Sequence, residues 1–337
     1  MLATEMSRVV KSAAIDVGFD RCGIAPATPI GRADYFRAWL DAGYAGSMEY
    51  LHRHFSQRAD PSKLLDQAKS VIVVSLLYHQ EQPRVSATPG QPRGRVAMYA
   101  WGDDYHDVIK KKLHGLADRL RKELPVSAEF KACVDTAPLL EREVAVAGGI
   151  GWIGKNTMVL DHRLGSYFFL GALITTLDLA PDDPLPDRCG TCTACLDACP
   201  TDAFIAPYEM DASRCISYLT IEHRTEISEE LEALMDDWVF GCDVCQQVCP
   251  YNARAPMTRE PRFAVRPPAP QPPLLDIIGW SVEDYRKQLR GSAGKRAKLP
   301  MWQRNAQIAL RNAAREADEA SPGARSPGRP ASASGHP

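Results

Sequence analysis

The chain lacks a long hydrophobic run. Its longest apolar stretch, Val71–Tyr78, has the length of a strand and not of a membrane span, so no membrane association is expected. The first ten residues hold Glu5 and Arg8 and no apolar core. No export signal is read there, and a cytoplasmic setting is expected. Charge of one sign is scarce as well. Forty Lys and Arg face 42 Asp and Glu, a net charge of -2 that neither requires nor excludes a polyanionic partner. A nucleotide-binding P-loop is absent: the glycine-rich stretch Gly149–Thr157 fails the pattern at Asn156. Gly149, Gly151 and Gly154 spell GxGxxG, but they follow an expected helix where a dinucleotide fold needs a strand. No internal repeat stands out. What remains is 337 residues with 45% hydrophobic and 24% charged content, the balance of a globular protein long enough for two domains.

Cysteine is not scarce. Cys189, Cys192, Cys195 and Cys199 read C-x2-C-x2-C-x3-C and close on Pro200, the bacterial ferredoxin pattern, whose fourth thiolate serves the other cluster of a pair. Cys242, Cys245 and Cys249 repeat it up to Pro250 with the first thiolate missing, and Cys215 stands alone between the runs. Crossing the ligands gives two sets of four: Cys189, Cys192, Cys195 and Cys249 for one 4Fe-4S cluster, and Cys199, Cys215, Cys242 and Cys245 for the other. Disulfides belong to small secreted chains, and zinc sites favour two separated CxxC pairs, so both fit less well. Cys22 and Cys133 are read as small buried hydrophobes.

Apolar spacing predicts helices over Met6–Asp20, Ala33–Ala42, Asp107–Leu124, Leu139–Ala147, Ser281–Leu289 and Trp302–Ala317. It predicts strands over Arg21–Ala25, Ser70–Tyr78, Ala128–Val134 and Tyr167–Thr176, the second buried on both faces. This alternation indicates an α/β domain. The expected divisions are 1–177, a cysteine-rich unit 178–256, a linker with C-terminal helices 257–318, and a disordered tail 319–337. Between Tyr285 and Pro330 the chain has eleven Lys and Arg against three Asp and Glu. That local excess is either a solvated helix face or a contact for a polyanion.

Two iron–sulfur clusters form an electron wire that needs a terminus. Three segments ahead of the cysteines are richer than packing requires: Tyr99–His106 (YAWGDDYH), Val134–Pro138 (VDTAP) and Gly149–Thr157 (GIGWIGKNT). Together with Arg58–Pro61 (RADP), VDTAPLLER, AGGIGWIGKNT and the two cysteine runs, they make the chain resemble the epoxyqueuosine reductase family over roughly residues 1–315. The resemblance implies a nitroreductase-like domain that binds cobalamin in place of flavin. It implies two 4Fe-4S clusters that feed the cobalt, and reduction of epoxyqueuosine to queuosine at the wobble position of tRNA. An unidentified electron donor and a monomeric state are expected with it.

The resemblance further implies that Asp135 lies beside the cobalamin and donates the proton, with a pKa raised by a partly desolvated pocket. The alternative from the residues is that Asp135 caps the helix entered through Pro138. Arg58, Ser217, Asp243 and Val244 are implied cobalamin contacts; Ser166, Tyr167, Lys155 and Asn156 are further candidates. Some family members carry a Cys just upstream of the WGxDYH segment, but Val96–Trp101 has none. Two rivals share the cysteines: a cobalamin-dependent reductive dehalogenase acting on a small molecule, and a ferredoxin-type carrier. A carrier has no need of residues 1–177.

Overall fold

The structure, a computed structural model, describes residues 2–83 and 91–320. The tail expected at 319–337, with Arg325 and Arg329, falls outside the described residues from 321 onward, as does 84–90 of the Pro- and Gly-rich loop.

Strand Ser70–Leu77 sits near the middle of a four-stranded sheet ordered Arg21–Pro26, Ser70–Leu77, Phe168–Thr175, Phe130–Cys133. Its β-branched residues suit a pleated position covered on both sides, and all eight residues are buried. Alternate side chains enter different cores. Ile72, Val74 and Leu76 pack with residues of the helices Ala3–Asp16 and Tyr105–Glu123. Val71, Val73 and Leu77 pack with Val144 and Ala145 of the helix Glu141–Ala147. Each such side chain stabilises the fold by about 1.5–3 kcal/mol. Ile72→Asp would leave an unpaired carboxylate between packed layers and break the sheet.

The expected helices and strands are present within a few residues of their anticipated ends, but every neighbouring pair in this sheet is antiparallel. Alternation of helix and strand indicated an α/β domain without fixing the direction of its strands. Here the connections carry long stretches of other structure and bring the chain back in the opposite sense, so the domain is a mixed α/β fold.

The C-terminal helix Leu299–Ala320 is locked onto the cysteine-rich region. Trp302 stacks on Phe240, ring centroids 5.1 Å apart. Asn305 Nδ2, fully buried, donates to the carbonyls of Thr220 and Val239 at 2.9 Å each. Part of the basic excess is spent here. Arg296 forks onto Glu222 at 2.8 and 3.1 Å, Arg304 donates to Leu219 O and His223 O, and Arg311 pairs with Glu232. The expectation that the ordered basic residues face a polyanion is corrected for these three: they tie the helix to the body. Lys295 and Lys298 remain exposed. Among the described residues no helix is long and apolar enough to cross a membrane.

Candidate active site

The cysteines surround two cavities. A small one, about 30 Å³, is lined by Cys189, Cys192, Cys195 and Cys249. A larger one, about 390 Å³, has Cys199, Cys215, Cys242 and Cys245 among its lining residues. The last cysteine of each run thus stands with the other group. Among the described residues no three His, Cys, Asp or Glu converge on one point as a single metal ion requires; each thiol set encloses a space instead.

The two runs are one turn built twice, fifty residues apart. Thr193 and Asp243 precede matching four-residue helices with φ, ψ of -123°, 4° and -111°, 4°. Ala198 and Val248 close them at -86°, -7° and -83°, -8°. The counterpart of Cys189 is Val239, fully buried in the core, and Cys215 supplies the missing sulfur beside the large cavity. Burial raises the Cys245 thiol well above its ordinary range, and Cys215 and Cys242 add to this; Cys242 and Cys215 are raised by burial too. Cys195, at the small cavity, reaches about 11, chiefly by burial and then by Cys249. Sulfurs gathered in two fours around enclosed spaces fit the donor set of an iron–sulfur cluster, whose cationic iron would displace their protons.

The glycine-rich stretch is a hairpin, Trp152–Ile153 against Val159–Leu160, laid over the small cavity. At Gly154 the hairpin comes close to the thiols: a Cβ there would reach Cys189 Sγ at 3.5 Å, an ordinary contact, and would turn aside Leu160 Cδ1 at 2.3 Å. Lys155 Nζ donates to Gly190 O at 2.7 Å and Cys192 O at 2.9 Å. It therefore holds the outer cysteine loop and does not line the large cavity, contrary to its expected cobalamin contact. Asn156 lines both cavities.

Ser217, Asp243 and Val244 line the large cavity, as does Asp135. Ser166 and Tyr167 stand behind the wall, displaced from the expected contact by their own packing. Ser166 is bonded to Asn252 and Gln246, and Tyr167 stacks on His79 at 5.0 Å. Ser166 braces the lining through Gln246, and Tyr167 through Tyr78, whose ring it meets edge-on at 5.8 Å. Arg58 is buried with its Nε unpartnered, and its charge bears on Asp135 and Glu141.

Asp135 is not a helix cap. The following helix starts at Glu141, with Leu140 at the cap position. Asp135 adopts a left-handed backbone, φ 47°, held by a 2.7 Å hydrogen bond from its own N–H to Glu141 Oε1. Its Oδ2 accepts from Tyr105 Oη at 3.0 Å and lies 3.2 Å from His106 Nε2. His106 Nδ1 is 2.7 Å from Asp104 Oδ1. The side chain of Asp135 is 61% exposed, and that exposure is to the cavity.

Burial pushes the Asp135 carboxyl up, but His106 and Tyr105 outweigh it and hold the group below the ordinary carboxylate range. The raised pKa expected for Asp135 is thus corrected: a basic partner lies against it. The raised carboxyl is its neighbour Glu141, lifted to about 8 by burial and by the charge of Asp135. Glu141, Arg142, Tyr105 and the aromatic lining of Tyr78, Phe168 and Phe169 were not read as site residues. The available signal was the density of aromatic and charged residues in Tyr99–His106.

Comparisons with known proteins agree with this geometry. The family described as 4Fe-4S double cluster binding domain matches residues 188–252, and the family described as epoxyqueuosine reductase QueG, DUF1730, matches 58–136. The epoxyqueuosine reductase of Shewanella oneidensis is 39% identical over 322 residues, covering 94% of this chain and 82% of its own. An epoxyqueuosine reductase solved with a tRNA-Tyr epoxyqueuosine-modified tRNA stem loop superposes with a TM-score of 0.86 at 32% identity, covering 91% of this chain and 81% of that one. The Bacillus subtilis epoxyqueuosine reductase, solved with its catalytic aspartate loop swung out of the active site, gives 0.85 at 32% identity, with coverage of 91% and 82%. The fold and the double thiolate site define an iron–sulfur oxidoreductase. The chain belongs to the epoxyqueuosine reductase family.

Proposed function

We infer that the protein reduces epoxyqueuosine to queuosine at the wobble position of tRNA. The observation that carries this is the large cavity itself: four cysteines stand in its wall, and Asp135 lines the same space. Removing the epoxide oxygen takes two electrons and two protons; both C–O bonds break and the oxygen leaves as water. Cys199, Cys215, Cys242 and Cys245 would hold the 4Fe-4S cluster that brings electrons to this wall. Cys189, Cys192, Cys195 and Cys249 would hold the one that receives them from a reductant outside.

Cobalamin fits the cavity on two grounds. Its size lies in the range of cofactor sites, and the apolar lining of Phe168, Phe169, Phe204 and Met210 beside Asn156, Ser217 and Gln246 suits a large ring with polar arms. Arg58, expected as a contact, is not among the lining residues. Ser217, Asp243, Val244 and Asn156 would meet it. When bound, cobalamin supplies a low-potential cobalt centre for transferring electrons to carbon. We assign it to residues 1–177 as a nitroreductase-like domain, with the cysteine-rich unit at 178–256 and C-terminal helices to 318.

Asp135 is the proton donor to the leaving oxygen, directed by Tyr105 and His106 and kept in place by Glu141. The extruded base enters the cavity, since chemistry on a base requires it out of the stack. The curated relatives and solved structures compared above carry the epoxyqueuosine reductase name. The test is anaerobic incubation of the cobalamin-loaded, reduced protein with an epoxyqueuosine stem loop, read by mass spectrometry. Wild type removes one oxygen atom per base. Asp135→Asn keeps iron and cobalt content but loses about 10²–10⁴-fold in rate. An Asn variant near the wild-type rate contradicts the assignment.

A further inference from the structure

Asp135 carries at most one proton, and each turnover consumes two. His106 opens the helix Tyr105–Glu123 and sits between carboxylates, Nδ1 2.7 Å from Asp104 Oδ1 and Nε2 3.2 Å from Asp135 Oδ2. A neutral imidazole donates from one nitrogen and presents a lone pair at the other. With an ionised carboxylate at each end, only the imidazolium satisfies both contacts; once Asp135 holds the proton, its O–H donates back to Nε2. The ring also stacks on Tyr105 at 4.0 Å, and the Tyr105 hydroxyl reaches the same Asp135 oxygen. His106 does not line the cavity, whereas Asp135 does. Whatever His106 contributes therefore passes through Asp135.

We propose that His106 is the proton store of the site, a positioning residue that reprotonates Asp135 between the two protonation steps while Asp104 fixes its ring. In each transfer the Nε2–H bond breaks and an O–H bond forms on Asp135 Oδ2. That proton then goes to the departing oxygen, and a proton from solvent restores the ring. No electron moves in these steps. The proposal rests on the function inferred above.

The charges around the ring agree with a proton stored on it, to be drawn off by Asp135 only as the departing oxygen takes up charge. Burial pulls His106 down, but Asp104 and Asp135 more than reverse it, to about 9. Asp104 is itself held low, against burial, by His106. The groups that bear on the ring are Asp104 and Tyr105 on its own segment, Asp135 from the loop after Cys133, and Glu141 at the start of the next helix. Behind them Lys295 acts on Asp104, Arg296 on Asp135, and Arg58 on Asp135 and Glu141, with Tyr50 beside Arg58. At neutral pH the stored proton is on His106 and Asp135 is ionised.

The experiment uses the holoenzyme with wild type, His106→Gln and Asp104→Asn. Histidine-labelled NMR over neutral and alkaline pH reads the ring without turnover, and single-turnover reduction of the epoxyqueuosine stem loop gives the pH–rate profile. The ring of wild type should titrate near 9, and Asp104→Asn should move that midpoint toward the ordinary histidine value of about 6.5. His106→Gln should lower the rate roughly 10²-fold or more with KM for the RNA within about twofold, and its profile should lose the alkaline limb. Asp104→Asn should keep a limb, shifted to lower pH in step with the ring. A wild-type ring that titrates at or below the ordinary value, or a Gln variant that retains the alkaline limb, overturns the proposal. If the RNA is not reduced at all, the inferred function has failed, and the ring titration alone decides for or against a stored proton on His106.

Discussion

The two cysteine turns share a backbone and differ in what surrounds them. In the first, Thr193 and Cys192 are exposed, and the enclosed space is about 30 Å³ under a hairpin. In the second, the residue at the Thr193 position is Asp243, 3% exposed, its carboxylate accepting from Met98 N–H at 2.7 Å. Burial lifts Asp243 to about 7. The second turn also opens onto the large cavity, which Asp135 lines as well. One duplicated element thus faces outward at one end and the large cavity at the other. Cys199 and Cys249 each stand with the other turn's group, which ties the two ends together. The two ends differ in their surroundings and not in the turns themselves.

The largest effect that can break this comparison comes from removing one thiol at each end. Cys245→Ser should abolish reduction of the RNA whatever the reductant, because the set beside the cavity is lost. Cys192→Ser should abolish it with a protein donor but leave measurable turnover with a small chemical reductant that reaches the inner set. Equal loss in both variants under the small reductant would erase the distinction between outer and inner ends. Anaerobic turnover with the two reductants is the measurement.

Charge at the inner end sharpens the comparison. Glu141 has a folded-state pKa near 8, above its ordinary 4.5. A raised carboxyl binds its proton more tightly when folded, so the fold loses stability as pH rises from about 4.5 through about 8. Glu141→Gln keeps an acceptor for the Asp135 N–H and removes that charge. Its Tm should match wild type at pH 5 and exceed it at pH 9. A variant less stable at pH 9 would mean that the ionised carboxylate is needed to hold the loop.

The smallest effect lies at two exposed lysines outside the lining of both cavities. Lys298→Ala and Lys295→Ala should each raise KM for the stem loop and flatten its dependence on salt, by a few-fold together, with turnover of bound RNA unchanged in Lys298→Ala. Arg296→Ala should instead lower Tm, since that side chain clamps Glu222. Filter binding at several salt concentrations separates the cases.

Much of this was legible in the sequence. The β-branched run at Val71–Val74 marked the central strand, and the x3-C-P steps marked two interleaved cysteine sets. Sheet direction was not legible, because the pattern of a strand buried on both faces is the same in either sense. Ser166, Tyr167 and Lys155 looked like cofactor contacts but are braces: adjacency to a site in sequence does not say which way a side chain turns. The pairing of His106 with Asp135 across 29 positions was invisible for the same reason. So was the commitment of Arg296, Arg304 and Arg311 to internal partners, since a count of charges carries no partners with it.

The account stands most directly on the exchange of the last cysteine of each run. Cys249→Ala, reconstituted anaerobically, should lose about half of its iron, and electron paramagnetic resonance of the reduced protein should show the inner cluster intact and the outer one missing. Addition of Cys192→Ser to that variant should then remove nothing further, whereas addition of Cys242→Ser should remove the rest. If Cys249→Ala instead loses the inner cluster, with Cys192→Ser taking away the remaining signal, the sets are not exchanged and the assignment of outer and inner ends is wrong.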